Sequence, residues 1–68
     1  MFKVYLEAVR ANAGMSQEEW AKALSVTKQT VTSWESGKTQ PKLQQVVKMS
    51  ELSGIPIEFI GMRNNPTI

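Results

Sequence analysis

Apolar residues recur along the chain at helical spacing, in short blocks separated by turn-forming residues. Breaks fall at Asn12-Ala13-Gly14, at Ser25, at Ser36-Gly37, at Gln40-Pro41, and at Gly54 with Pro56. Runs of β-branched residues are few between them, so helix is the economical reading of each block. The first helix is expected over residues 2–12. At ~100° per residue, Phe2, Leu6, Val9 and Ala13 share one face there, with Arg10 among them. The second starts after Ser16, an N-cap followed three residues later by Glu19, the spacing of a capping box. It sets Trp20, Ala21 and Leu24 on one side and Glu18, Glu19 and Lys22 on the other.

After the short turn Ser25-Val26, Thr27 reads as the N-cap of a third helix that ends near Ser36, with Gly37 closing it. Pro41 leads into a fourth helix over Leu43–Ser53, ended by Gly54. A brief fifth helix is expected from Pro56, a favoured first-turn residue, burying Ile57 and Ile60. The fourth helix is irregular. Leu43, Val46, Val47 and Ser50 form its stripe, but Leu52 points nearly opposite, either onto the C-terminal segment or into a dimer surface.

The chain of 68 residues makes one domain, and its 41% hydrophobic content suffices for one small core. A chain this short buries only about 60% of its unfolded surface, which leaves little room for a deep catalytic pocket. It contains no cysteine and no histidine. Disulfide frameworks, thiolate nucleophiles, the commonest metal ligand and the commonest general base are therefore absent. Zinc enzymes, cysteine proteases and Ser-His-Asp hydrolases are excluded, and neither enzymatic activity, metal nor cofactor is expected. No apolar run approaches the ~20 residues that span a bilayer. The opening Met1-Phe2-Lys3-Val4-Tyr5 lacks the apolar core of a signal peptide, so the expected location is cytoplasmic. The domain is expected over residues 1–61, with residues 62–68 as a polar, Pro-containing, loose tail.

Net charge is only +2, but it is unevenly placed: residues 27–48 hold four lysines against Glu35 alone. Such a basic stretch suits a phosphate backbone as partner, and equally suits ordinary solvated lysines. The faces of the third helix sharpen the choice. With Lys28 set at zero, Thr32 comes at about 40°, Gln29 at about 100° and Ser33 at about 140°. Trp34, Thr27 and Val31 lie opposite, between about 240° and 300°. A solvated helix face usually carries several acids and lysines, whereas this one carries no acid. Glutamine pairs with adenine, lysine donates to guanine, and serine or threonine serves either. Nucleic-acid readout by Lys28, Gln29, Thr32 and Ser33 is the reading this face favours.

Residues 14–41, GMSQEEWAKALSVTKQTVTSWESGKTQP, resemble the helix-turn-helix family of phage repressors, Cro proteins and xenobiotic-response-element-type regulators. The resemblance extends from Leu6 to Ile60. Its landmarks are Arg10, the Ser16-Gln17-Glu18-Glu19 opening, Ala21, the Val26-Thr27 turn, and Trp34, Glu35 and Gly37 followed by Pro41. It implies an all-α, compact five-helix domain of the lambda-repressor-like kind, whose third helix enters the major groove, usually as a homodimer on a palindromic operator. It assigns base contacts to Lys28, Gln29, Thr32 and Ser33. Phosphate contacts fall to Gln17, Thr27, Ser36, Lys38, Thr39 and Gln40, with main-chain N–H groups of that loop contributing. It also assigns Arg10 and Glu35 as an internal salt bridge; the alternative is an Arg10 that merely reaches out to solvent.

The chain departs from the family pattern at three places. Ser25 stands where glycine is usual, Trp20 replaces a leucine, and Ser53 occupies a common leucine position. The expected function is a sequence-specific, double-stranded-DNA-binding regulator of repressor or Cro type, from a phage, a prophage or a chromosome. No membrane or small-molecule ligand is expected as partner. The expected protomer contact is Ile57, Phe59, Ile60 and Met62, more apolar surface than one short helix can bury beneath itself. The alternative is an antitoxin-type, partner-binding helical module, which would be expected to display exposed apolar anchors on the third helix.

Overall fold

The computed structural model describes residues 3–62; Phe2 and residues 63–68 of the expected tail lie outside the described residues. The chain runs β1 (Val4–Tyr5), α1 (Leu6–Asn12), α2 (Gln17–Leu24), α3 (Lys28–Ser36) and α4 (Leu43–Ser53). A 3-10 turn (Ile57–Phe59) and β2 (Ile60–Gly61) follow.

The helix starts are written in local side chains. Before α2, the Ser16 hydroxyl accepts the Glu19 N–H at 3.1 Å, and the Ser16 N–H donates to the Glu19 carboxylate at 2.8 Å. This reciprocal box satisfies two amides that the helix itself leaves unpaired. Thr27 caps α3 in one direction, its hydroxyl accepting the Thr30 N–H at 3.1 Å. At α4 the Gln45 side chain accepts the Lys42 N–H at 2.7 Å. Gly37 ends α3 at φ +86°, a left-handed cap that a Cβ would strain.

One face of each helix supplies the core. Leu6 and Val9 of α1, Trp20, Ala21 and Leu24 of α2, Val31 and Trp34 of α3, Val46 and Met49 of α4, and Ile60 are all buried together. Trp20 is fully enclosed, so the bulk that replaces a leucine is absorbed as core volume. Buried Ser53 explains its own departure: its hydroxyl accepts the Ile55 N–H at 3.2 Å, while its carbonyl accepts Asn12 Nδ2 at 2.8 Å. The second bond ties the end of α1 to the end of α4.

Several expectations require correction. Among the described residues there are four α-helices rather than five, and a small sheet accompanies them. The first helix starts at Leu6, because Val4 and Tyr5 run parallel to Ile60 and Gly61 as a two-stranded sheet. The fifth helix is replaced by a single 3-10 turn that opens into β2. A lone turn of helix gains one hydrogen bond for three ordered residues, whereas the extended segment pairs its backbone across to β1. The strands approach closely: a Cβ on Gly61 would lie 3.0 Å from Lys3 Cβ.

The α4 stripe is also shifted. Val46, Met49 and Ser53 face inward, while Leu43 is 72% exposed and Val47 is exposed beside it. Leu52 is half-buried and packs on the core.

Candidate nucleic-acid interface

α2 and α3 form the helix-turn-helix unit, and the turn between them rests on Ser25. Its φ of +59° and ψ of +42° make it the only non-glycine residue at positive φ among those described. The Val26 N–H returns to the Ala21 carbonyl at 2.9 Å, closing α2 around this residue. The left-handed conformation explains why glycine is usual here, since a side chain costs roughly 1–2 kcal/mol in it.

α3 is anchored by Val31 and Trp34, both buried, and presents Lys28, Gln29 and Thr32 to solvent. Ser33 is half-buried, at the edge of that face. Thr27, placed by the helical wheel on the buried side, is exposed, because as N-cap it precedes the regular turn of the helix. The Thr32 hydroxyl donates to the Lys28 carbonyl at 3.1 Å. Outward it therefore retains an acceptor oxygen and a methyl group, the latter suited to a thymine methyl.

The loop after α3 behaves differently from expectation. The N–H groups of Lys38 and Thr39 both donate to the Ser33 carbonyl, at 2.9 and 3.3 Å, and that of Gly37 donates to the Trp34 carbonyl at 3.2 Å. These amides wrap the end of the helix and are not directed at a ligand. What the segment offers a phosphate is side chains: Ser36, Lys38, Thr39 and Gln40 are all exposed. Ser36 Oγ also donates to the Ser33 carbonyl, at 3.1 Å.

Behind the interface lies a charged buttress. Arg10 Nε donates to Glu35 Oε2 at 2.7 Å and its Nη2 to Oε1 at 3.3 Å, while Nη1 donates to the Met15 carbonyl at 3.1 Å. The Arg10 side chain is 21% exposed and that of Glu35 10%. The hydrogen bond to Glu35 is the main cause holding the arginine pKa above its ordinary value. Burial opposes it, and the charges of Glu35 and Glu7 add to it. Gln17 Nε2 donates to the same carboxylate at 3.0 Å, so the first residue of α2 is fastened to the end of α3 through Glu35.

A second ion pair joins the two helix starts: Lys28 Nζ lies 3.3 Å from Glu18 Oε2, with both side chains largely exposed. The Glu18 carboxyl is held below the usual glutamate value. Its own backbone N–H is the largest cause, followed by the hydrogen bond and charge of Lys28. Sequence reasoning missed both the Gln17–Glu35 and the Glu18–Lys28 links. No spacing rule pairs residues on separate helices; the only available signal was that both pairs begin in the first turn of α2.

Of the apolar contact residues, Ile60 is 5% exposed and belongs to the core, which removes it from any protomer surface. Ile57 and Phe59 are 36% and 39% exposed, and Met62 is half-buried. Ile57 was expected to be buried, and the 3-10 turn leaves it outside.

Two packed helices with a left-handed turn, the second held by two core residues and displaying polar outward residues of its own, define a helix-turn-helix unit. A family model described as Helix-turn-helix matches residues 6–60, and the chain belongs to that family. It is 33% identical over 60 residues to the SPbeta prophage-derived HTH-type transcriptional regulator YonR of Bacillus subtilis, covering 88% of this chain and 56% of that one. It is 35% identical over 57 residues to the cryptic phage CTXphi transcriptional repressor RstR of Vibrio cholerae, covering 84% and 51%. With an HTH-type transcriptional regulator of Methanocaldococcus jannaschii it shares 38% identity over 55 residues, covering 81% and 83%. The chain thus spans about half the length of the two phage-related relatives. No solved structure gives a significant match. Among the described residues, no helix is long and apolar enough to cross a membrane.

Proposed function

We propose that this chain is a sequence-specific repressor-type regulator that lays α3 in the major groove and binds a palindromic operator as a pair of copies. The observation that carries the reading is the outward face of α3. Lys28, Gln29 and Thr32 stand exposed, with no acid among the helix's outward residues, on a helix fixed from behind by Val31 and Trp34. Lysine and glutamine at its first two positions suit guanine and adenine edges respectively, Thr32 suits thymine, and Ser33 lies at the margin of the contact. Lys38 approaches the phosphate backbone, together with Ser36, Thr39 and Gln40. Gln17 and Thr27 flank the groove at the two helix starts, their side chains braced by Glu35 and Thr30. One helix reads only a few base pairs, too little to select a site in a genome. Two copies with helices about 34 Å apart double the readout and require an inverted repeat. Ile57, Phe59 and Met62 supply the contact between copies, with Ile60 supporting them from the core.

Selection from a randomised duplex pool tests this reading. The expected product is an inverted repeat with half-sites one helical turn apart. Gln29→Ala should cost about 1–3 kcal/mol on that site and flatten one base position per half-site. Lys38→Ala should weaken selected and random DNA alike. A pool without enrichment, or a sequence preference altered by Lys38→Ala and indifferent to Gln29→Ala, would overturn the assignment.

A further inference from the structure

Lys28 is the first residue of α3, and its ammonium does not stand alone: Glu18, in the first turn of α2, holds it at 3.3 Å. We propose that Glu18 is a specificity-determining positioning residue, which holds Lys28 for a base edge and withholds it from the phosphate backbone. The inference rests on the reading of α3 as the helix that enters the groove.

Its physical basis is the freedom of lysine. A four-carbon stem carries a compact charge that reaches phosphate as readily as guanine, and phosphate is far more abundant along any duplex. An unrestrained lysine at the start of a recognition helix therefore adds affinity for all DNA and little discrimination. A carboxylate on the neighbouring helix changes this in two ways. It biases the ammonium toward the α2 side of the α3 start, narrowing the positions from which it most often donates. It also repels any phosphate that comes near, so the nonspecific mode carries a penalty that the base-reading mode, with Lys28 interposed, escapes. The Glu18 carboxyl titrates below the ordinary range, so the charge is present at neutral pH. An exposed pair of this kind contributes little to folding, so a role in recognition is not confounded with stability.

The experiment compares wild type, Glu18→Gln, Lys28→Ala and the double variant. Each is measured on the duplex selected by wild type and on a random duplex of equal length, across a salt series. The expected result for Glu18→Gln is several-fold tighter binding to random DNA with little change on the selected site. Its salt slope on random DNA steepens by about one phosphate contact, a change of ~0.9. It also relaxes preference at the same base position that Lys28→Ala relaxes, and it has no further effect there once Lys28 is alanine. Equal tightening on both duplexes with an unchanged sequence preference would make Glu18 a plain surface charge and overturn the proposal. So would additive effects of the two substitutions at that position. If wild type itself enriches no sequence, the reading of α3 fails first, and the role of Glu18 falls with it.

Discussion

Removing the Glu35 carboxylate should damage this domain more than any other single change to an exposed or half-exposed side chain. Glu35→Ala deletes the acceptor of three hydrogen bonds, from Arg10 Nε at 2.7 Å, Arg10 Nη2 at 3.3 Å and Gln17 Nε2 at 3.0 Å. The guanidinium then keeps its hydrogen bond to the Met15 carbonyl at 3.1 Å. Stranding one member of a buried pair costs about 3–5 kcal/mol. Arg10 is a fifth exposed and regains some hydration, which places the cost at the lower end, about 3 kcal/mol. At roughly 0.05–0.15 kcal/mol per residue, a chain of 68 residues is stable by about 3–10 kcal/mol. The loss is therefore a large share of the total. It corresponds to a fall in Tm of about 12–24 °C, taking ~4–8 °C per kcal/mol for a domain this size.

Thermal and urea melts followed by circular dichroism read this directly. A Glu35→Ala protein melting within two degrees of wild type would refute the reasoning. The double variant Arg10→Met with Glu35→Leu provides the control. Apolar replacement of both partners is often neutral or stabilising, so it should melt well above Glu35→Ala, with a coupling energy of opposite sign to the single losses.

Ser25→Gly should stabilise the domain by about 1 kcal/mol, because the left-handed turn no longer carries a Cβ, and a melt shows it as a rise of several degrees. In an NMR titration, the Glu18 carboxyl should show a midpoint below the ordinary glutamate value, and Lys28→Ala should move it part of the way back. Because the folded-state pKa is lowered, the contribution is present above the unfolded value and is lost as pH falls through the folded one. An unmoved midpoint in Lys28→Ala would break the pair. Phe59→Ser should melt close to wild type and abolish cooperative occupation of two half-sites, whereas Ile60→Ala should lose about 2–5 kcal/mol of stability because its side chain is core. Cooperative binding that survives Phe59→Ser places the protomer contact elsewhere.

The helix boundaries of α2, α3 and α4 were legible from residues alone, because caps and apolar periodicity are local signals. Ser16 with Glu19, Thr27, Gly37 and Gly54 mark the ends by chemistry that acts over three or four residues. The anchors and outward face of α3 were legible for the same reason: one helix fixes the angle between Val31 and Lys28 whatever surrounds it. What the chain could not disclose locally depends on partners distant in sequence. Val4 and Tyr5 became a strand because Ile60 and Gly61 lie alongside them, and the same pairing opened the expected fifth helix and left Ile57 outside, while Ile60 stayed buried as expected. In α4, Leu43 and Val47 fit an apolar stripe as well as Met49 does, and only the placement of α1 and α2 selected the inward face. The Gln17–Glu35 and Glu18–Lys28 links arise from the angle at which α2 and α3 pack. That angle is fixed by the shared core around Trp20, Val31 and Trp34, so those contacts exist only once the helices have met.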